Sequence, residues 1–156
     1  MSDQRLRSVA IDEESLAAVS RDQEQERQVA IFDLLEDNRF APEGADAGPY
    51  DLKIGLIEQR LALDISSDGY HHALLLSLTP LRAVIKDYFI VCASYYDAIR
   101  NATPHQIEAL DMSRRALHNE GSSLLAARLE GKVATDLPTA RRLFTLICAL
   151  HRRDRR

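Results

Sequence analysis

Hydrogen-bonding and titratable side chains are concentrated between residues 110 and 129 of this 156-residue chain. Arg114, Arg115, His118 and Glu120 follow one another within two turns of a predicted helix. Residues three and four apart share a helix face, so both arginines lie one turn before His118. Guanidinium groups could hold a phosphate or carboxylate while the imidazole acts as acid or base near neutral pH. His118 and Glu120 are therefore the candidate catalytic residues, and the two arginines are candidates for ligand binding.

A structural role is the main alternative for this segment, and we favour it. Asp111 precedes Arg114 and Arg115 by three and four positions, a spacing that forms ion pairs along one helix. Such a network would fix the helix against its neighbours without any catalysis. Gly121 stands in the same segment. Because glycine destabilises a helix by about 1 kcal/mol relative to alanine, it indicates close packing or a bend.

A second group of candidate residues lies between residues 88 and 100. Tyr88, Tyr95, Tyr96 and Arg100 follow a helical pattern there. Tyrosine and arginine are enriched among the residues that anchor interfaces, so these side chains predict a ligand- or partner-binding surface. Tyrosines at the edge of a core, with their hydroxyl groups at its rim, are the common alternative.

Metal, cofactor and nucleic-acid sites have weaker signals. His71 and His72 are adjacent, so on a strand they point to opposite faces and cannot bind one metal ion together. The sequence has no glycine-rich phosphate loop and no nucleophile elbow. We therefore expect no metal and no cofactor. The tail at residues 152–156 is basic and could contact nucleic-acid phosphate, although a frayed helix end explains it better.

The first half of the chain predicts strands and one helix. Residues 5–11 alternate weakly, as in a short strand. Ser20 and Gln23 predict a capped helix that ends near residue 37. Its predicted apolar stripe consists of Val29, Ile31, Phe32, Leu34 and Leu35. After a loop at 41–49, alternating apolar residues over 50–56, 61–65 and 70–78 predict an antiparallel meander of three strands.

Three helices are predicted in the second half. Their starts are marked by Thr79-Pro80, by Thr103-Pro104 with Gln106, and by Asp136 followed by Pro138. The meander has one apolar face that only helices can cover. The predicted fold class is therefore α+β: an N-terminal strand and helix, a three-stranded antiparallel meander, then three C-terminal helices packed on the sheet. We expect one domain over residues 1–156, frayed at 1–4 and 152–156.

Composition excludes several classes of protein. Hydrophobic residues make up 46% and charged residues 28%, which suits a globular protein with a core. The sequence lacks an apolar run of membrane-spanning length and an apolar leader, so we expect a cytoplasmic protein without a membrane partner. Residues 80–156 hold 13 basic and 8 acidic residues, whereas the whole chain carries −4. Cys92 and Cys148 fall in apolar helical patterns and are predicted to be small buried residues without a disulfide.

Six phrases taken in order resemble the uncharacterised protein family 0262, a group of small bacterial proteins. They are V-A-I-F-D-L-L-E at 29–36, L-S-L-T-P-L-R at 76–82, K-D-Y-F at 86–89, S-Y-Y-D-A-I-R at 94–100, L-H-N-E-G-S at 117–122 and T-A-R-R-L-F-T-L-I-C at 139–148. The resemblance covers about residues 5–151. It implies an unknown function, because this family has no assigned activity, cofactor or catalytic residue to carry over to named positions.

We interpret the chain as a non-enzymatic cytoplasmic binding or regulatory protein that uses the Tyr- and Arg-rich surface of its C-terminal helices. Its partner would be a protein or a small anionic ligand, and a homodimer through the helical face stays open. One alternative is a small hydrolase or transferase of an anionic metabolite that uses His118 with Arg114 or Arg115. That reading requires a pocket where His118 meets another element, with Tyr88 or Arg141 in reach. Another alternative is association with nucleic acid or the ribosome through the basic tail.

Overall fold

The computed structural model of this protein describes residues 3–12 and 20–151. The basic tail at 152–156 lies outside the described residues. The elements, in chain order, are β1 (Leu6–Ile11), α1 (Arg21–Glu36), β2 (Phe40–Pro42), β3 (Tyr50–Ile57), β4 (Arg60–Ser67), β5 (Tyr70–Ser77), α2 (Thr79–Asn101), α3 (Pro104–Leu129), β6 (Val133–Thr135) and α4 (Leu137–His151). The predicted α+β class is confirmed.

The main sheet has four strands in the order β1-β3-β4-β5. Strands β3, β4 and β5 form the predicted antiparallel meander. Its first turn uses Glu58 at φ 51° and Gln59 at φ 65°, and Gly69 at φ 77° lies in the second. Two successive residues with positive φ match the right-handed twist of a hairpin. Strand β1 adds to β3 in parallel, with Leu6 opposite Tyr50, and the sequence did not predict this pairing.

A second, two-stranded sheet joins β2 to β6 in antiparallel register. Most of β2 falls in the predicted loop at 41–49, and β6 was not predicted. Each strand has only three residues, too few to show an alternation of period two. The pairing ties the segment before β3 to the connection between α3 and α4, and therefore fixes where α4 begins.

The predicted helix starts are mostly found. The Thr103 hydroxyl accepts from the Gln106 N–H at 3.3 Å, and the Gln106 side chain accepts from the Thr103 N–H at 3.1 Å, which completes the capping box. At α4, the Asp136 carboxylate accepts from the Thr139 N–H at 3.0 Å. The prediction that Thr79 caps α2 is wrong, because Thr79 is already helical and the cap position falls on Leu78. Proline is tolerated at the first and at the second helical position, so Pro80 did not determine which residue is the N-cap.

The predicted apolar face of α1 is also wrong in part. Val29 and Phe32 expose 52% and 65% of their surface. The buried face holds Gln23, Arg27, Ala30, Ile31 and Leu34. The Arg27 guanidinium donates to the backbone carbonyl of Leu150, at the end of α4, at 3.5 Å. A cationic side chain therefore lies on the buried face of α1, where the hydrophobic pattern did not predict one.

One hydrophobic core joins the sheet to the helices. Neither cysteine forms a disulfide, as predicted, and Cys148 is buried whereas Cys92 is only half-buried. Helix α4 supplies more buried residues than any other described helix. Within the described ranges, no helix combines the length and apolar character needed to cross a bilayer.

Helices α3 and α4 approach each other closely at Gly121. A Cβ placed on Gly121 would lie 2.1 Å from Cζ of Phe144. Because non-bonded carbon atoms do not come that close, the ring of Phe144 occupies the volume of the missing side chain. This confirms that Gly121 marks close packing.

Replacing Gly121 by alanine should destabilise the protein although alanine is the better helix former. We expect Gly121→Ala to lower the free energy of unfolding by about 1–3 kcal/mol, since overpacking outweighs the gain of about 1 kcal/mol in helix propensity. Urea denaturation measures the change. In a Phe144→Leu background, where the ring is absent, the same substitution should cost clearly less. An equal cost in both backgrounds would contradict the assigned contact.

Candidate functional site

A concave site lies where α2, α3 and the start of α4 meet. It encloses a cavity of about 550 Å³. The lining residues are Tyr88 from α2, Arg114, Arg115 and His118 from α3, and Leu137, Pro138, Arg141, Arg142 and Thr145 from α4. We name this cavity the arginine pocket.

Charge in the arginine pocket is unbalanced. Asp111 binds both α3 arginines, with 2.5 Å to Arg114 and 3.1 Å to Arg115. Arg141 donates to the amide oxygen of Asn119, and Arg142 donates to the backbone carbonyl of Asp37. Within the described parts of the chain, neither α4 arginine forms an ion pair. The lining thus carries four guanidinium groups, and the ion pairs described for them involve one carboxylate, that of Asp111. This leaves an excess of three positive charges in a chain whose net charge is −4.

Arg114 is held from two sides. Its guanidinium carbon lies 5.0 Å from the centre of the Tyr95 ring, a distance at which a cation is attracted to the ring face. The Asp111 carboxylate binds the same group. The Asp111 network that we favoured as a structural role is therefore present. It neutralises only part of the charge, so the structural role and an anion site coexist on α3.

His118 lies against an aromatic wall. Its ring centre is 5.1 Å from that of Phe144 and 5.5 Å from that of Tyr88. Nε2 lies 2.8 Å from the hydroxyl of Thr145. That hydroxyl donates to the Arg141 carbonyl at 3.1 Å. With its proton used there, the Thr145 oxygen accepts from Nε2–H, which selects the tautomer protonated at Nε2.

The surroundings of His118 keep its imidazole uncharged. Burial, and then the positive charges of Arg141 and Arg114, lower the pKa of His118 to about 4. A histidine with this pKa is uncharged at pH 7, and its role as an acid or base stays a prediction. Burial also raises the pKa of Tyr88, and the neighbouring Cys92 thiol adds to the effect. Both groups are therefore neutral hydrogen-bonding partners at physiological pH.

The structure brings together only some of the candidate residues. Arg114, Arg115, His118 and Tyr88 line one cavity. Tyr95 lies behind Arg114 and supports it. Tyr95 is thus outside the lining of the arginine pocket, and so are three exposed candidates, Glu120, Tyr96 and Arg100.

Glu120 therefore lies outside the cavity that His118 lines. The lining, as far as the structure describes it, contains no carboxylate side chain that could act as a base.

Most of the α4 residues that line the arginine pocket were not predicted. Arg141 was named as reachable, but Arg142, Thr145 and Leu137 were not considered. Positions 138, 141, 142 and 145 follow the spacing i, i+3, i+4 and i+7 of one helix face. That polar face could have been read from the sequence. The apolar pattern of the same helix is stronger, and it predicted only the buried face of α4.

Comparisons with known proteins agree with one another. A family model described as "Uncharacterised protein family (UPF0262)" matches residues 3–153. UPF0262 proteins of Phenylobacterium zucineum and Caulobacter vibrioides are each 71% identical over 147 residues, which is 94% of this chain and 92% of theirs. A UPF0262 protein of Hyphomonas neptunium is 58% identical over 153 residues, covering 97% of this chain and 94% of its own. No solved structure matches the chain.

The low pKa of His118 predicts a loss of stability in acid. An unfolded chain binds a proton at this imidazole near pH 6.5, whereas the folded chain binds it only near pH 4. Between these values the unfolded state holds more protons, so the free energy of unfolding falls as the pH decreases from 6.5 to 4. We expect a loss of roughly 1 kcal/mol, discounted for the partial exposure of the ring.

Urea denaturation at pH 4.5 and pH 7 measures this dependence in three proteins. His118→Gln should show a smaller loss of stability in acid than the wild type. The matched control is His105→Gln, which removes an exposed histidine from the first turn of the same helix and should keep the wild-type dependence. Identical pH dependence in the wild type and His118→Gln would show that His118 is not enclosed as described.

Proposed function

This chain belongs to the uncharacterised protein family UPF0262, and on that premise we propose that it is a non-enzymatic, cytoplasmic protein that binds a small anionic ligand in the arginine pocket. The observation that carries the proposal is the excess of three positive charges in a concave site. Arginine is suited to such recognition because its planar group donates two parallel hydrogen bonds to one phosphate or carboxylate.

The guanidinium groups are available to a ligand to different degrees. The Arg115 side chain is 72% exposed, and that of Arg114 is 31% exposed. Arg141 is exposed as well and contacts a neutral amide. Each guanidinium has five N–H donors, and the contacts described above use only a few of them. A bound anion would therefore add hydrogen bonds without breaking the Asp111 ion pairs.

Binding without turnover fits the polar groups of the pocket better than catalysis does. His118 is uncharged, and its Nε2 is engaged with Thr145. General acid–base catalysis works best when the pKa of the group lies near the working pH. The candidate partner Glu120 is exposed outside the cavity. These observations support a role in which the ligand is held and released unchanged.

Ligand-induced stabilisation tests this proposal. The anions to be tested are citrate, inorganic phosphate and phenyl phosphate, each compared with chloride at equal ionic strength. At least one of them should raise the midpoint of thermal unfolding. Arg141→Gln should weaken binding of that anion about tenfold or more, since a hydrogen bond to a charged group contributes about 1.5–3 kcal/mol.

The chain offers a matched control in Arg82→Gln. Arg82 is an exposed arginine whose guanidinium also donates to a neutral side-chain amide, that of Gln59 at 3.2 Å, and it does not line the arginine pocket. Its replacement should leave anion binding unchanged. If none of the anions stabilises the wild type, or if both variants lose binding equally, the proposed function is wrong.

A further inference from the structure

We propose that the ligand of the arginine pocket is a small organic phosphate, with its phosphoryl group between the arginines of α3 and α4 and its organic group against the apolar rim at Leu137 and Pro138. This inference rests on the proposed function and narrows it to one chemical class. Three features of the site support it independently: the direction of the charges, the size of the cavity and the apolar character of one edge.

The arginines reach the cavity from two helices. Arg114 and Arg115 belong to α3, and Arg141 and Arg142 belong to α4. A carboxylate has two oxygens in one plane, and a single guanidinium can satisfy both. A phosphate monoester presents three terminal oxygens in a tetrahedral arrangement and carries up to two negative charges. Donors that converge from two helices, with three uncompensated positive charges, match the phosphoryl group better.

One neutral group of the same wall, the Tyr88 hydroxyl, can add a directed hydrogen bond. Tyr88 lies beside His118, with 5.5 Å between their ring centres, and both line the cavity. A tyrosine hydroxyl is protonated at neutral pH, and that of Tyr88 can therefore donate to an anionic oxygen. A terminal phosphoryl oxygen can accept from this hydroxyl and from a guanidinium at once.

The cavity is larger than a free phosphate requires. Its volume of about 550 Å³ falls within the range of roughly 300–1,000 Å³ that is usual for small-molecule sites. Inorganic phosphate would leave most of this space to water. The remaining volume suits an organic group of the size of a sugar or an aromatic ring.

One edge of the cavity is apolar and open. Leu137, the first residue of α4, exposes 60% of its surface although it borders a cationic site. Pro138 beside it is exposed too, and the Tyr88 ring lines the wall. Single exposed leucines are common on protein surfaces. Here the leucine adjoins the guanidinium groups, so one ligand with an anionic and an apolar end can contact both.

Isothermal titration calorimetry with three probes at constant ionic strength tests the inference on the full chain. Phenyl phosphate has both parts, inorganic phosphate lacks the organic group, and benzoate replaces the phosphoryl group by a carboxylate. Phenyl phosphate should bind about tenfold more tightly than inorganic phosphate, since contacts of a few apolar carbon atoms change affinity by about that factor. It should also bind more tightly than benzoate, since the third phosphoryl oxygen accepts a further charge-assisted hydrogen bond.

Two leucine variants show where the organic group binds. Leu137→Ser should bring the affinity for phenyl phosphate close to that for inorganic phosphate, and should leave the affinity for inorganic phosphate unchanged. Leu75→Ser is the control, because Leu75 is similarly exposed at 54% but lies on β5 and not in the lining. It should change neither affinity.

The outcomes separate this inference from the proposed function. Benzoate binding as tightly as phenyl phosphate would overturn the choice of phosphate and leave an anion-binding protein. Equal affinities for phenyl phosphate and inorganic phosphate would contradict the claim that the site binds the organic group of its ligand. An RNA oligonucleotide that binds more tightly than phenyl phosphate, and loses binding in Arg141→Gln, would make the ligand a polymer and overturn the inference. If none of the probes binds, the proposed function itself is wrong.

Discussion

The close contact between Gly121 and Phe144 is the constraint on which the candidate site depends. Because Gly121 has no side chain, the Phe144 ring lies where a Cβ would stand, 2.1 Å from Cζ. The same ring lies 5.1 Å from His118 and 6.2 Å from Tyr88, measured between ring centres. One contact between α3 and α4 therefore places an aromatic wall that includes a residue of α2. A larger residue at 121 would separate the helices and move the arginines apart.

The electrostatic character of the pocket follows from this packing. The aromatic wall partly removes His118 from water, so the imidazole stays uncharged and the positive charge belongs to the arginines alone. Arginine remains protonated at every pH at which proteins are folded. Asp111 holds the two α3 arginines, and the Tyr95 ring supports Arg114. Three positive charges are thus kept near one another, which costs stability that an anion would restore.

Local signals in the sequence predicted local structure well. The capping box at Thr103, the turn at Glu58-Gln59 and the cap at Asp136 each depend on residues a few positions apart. Features that depend on distant contacts were missed, such as the pairing of β2 with β6. The buried face of α1 was predicted only in part, because Arg27 is buried where hydrophobicity predicts exposure. The residues of α3 and of α4 that line the arginine pocket each follow the spacing of one helix face. The sequence does not show that these two faces lie side by side, because that placement depends on the contact of Phe144 with Gly121.

A crystal structure of the protein with phenyl phosphate would test the central claim most directly, namely that α3 and α4 together form an anion site. We predict a phosphoryl group whose oxygens lie about 2.7–2.9 Å from guanidinium nitrogens of both helices, with at least one bond from Arg114 or Arg115 and one from Arg141 or Arg142. Phenyl phosphate bound by one helix alone, or bound elsewhere with the pocket arginines in their present contacts, would contradict the account.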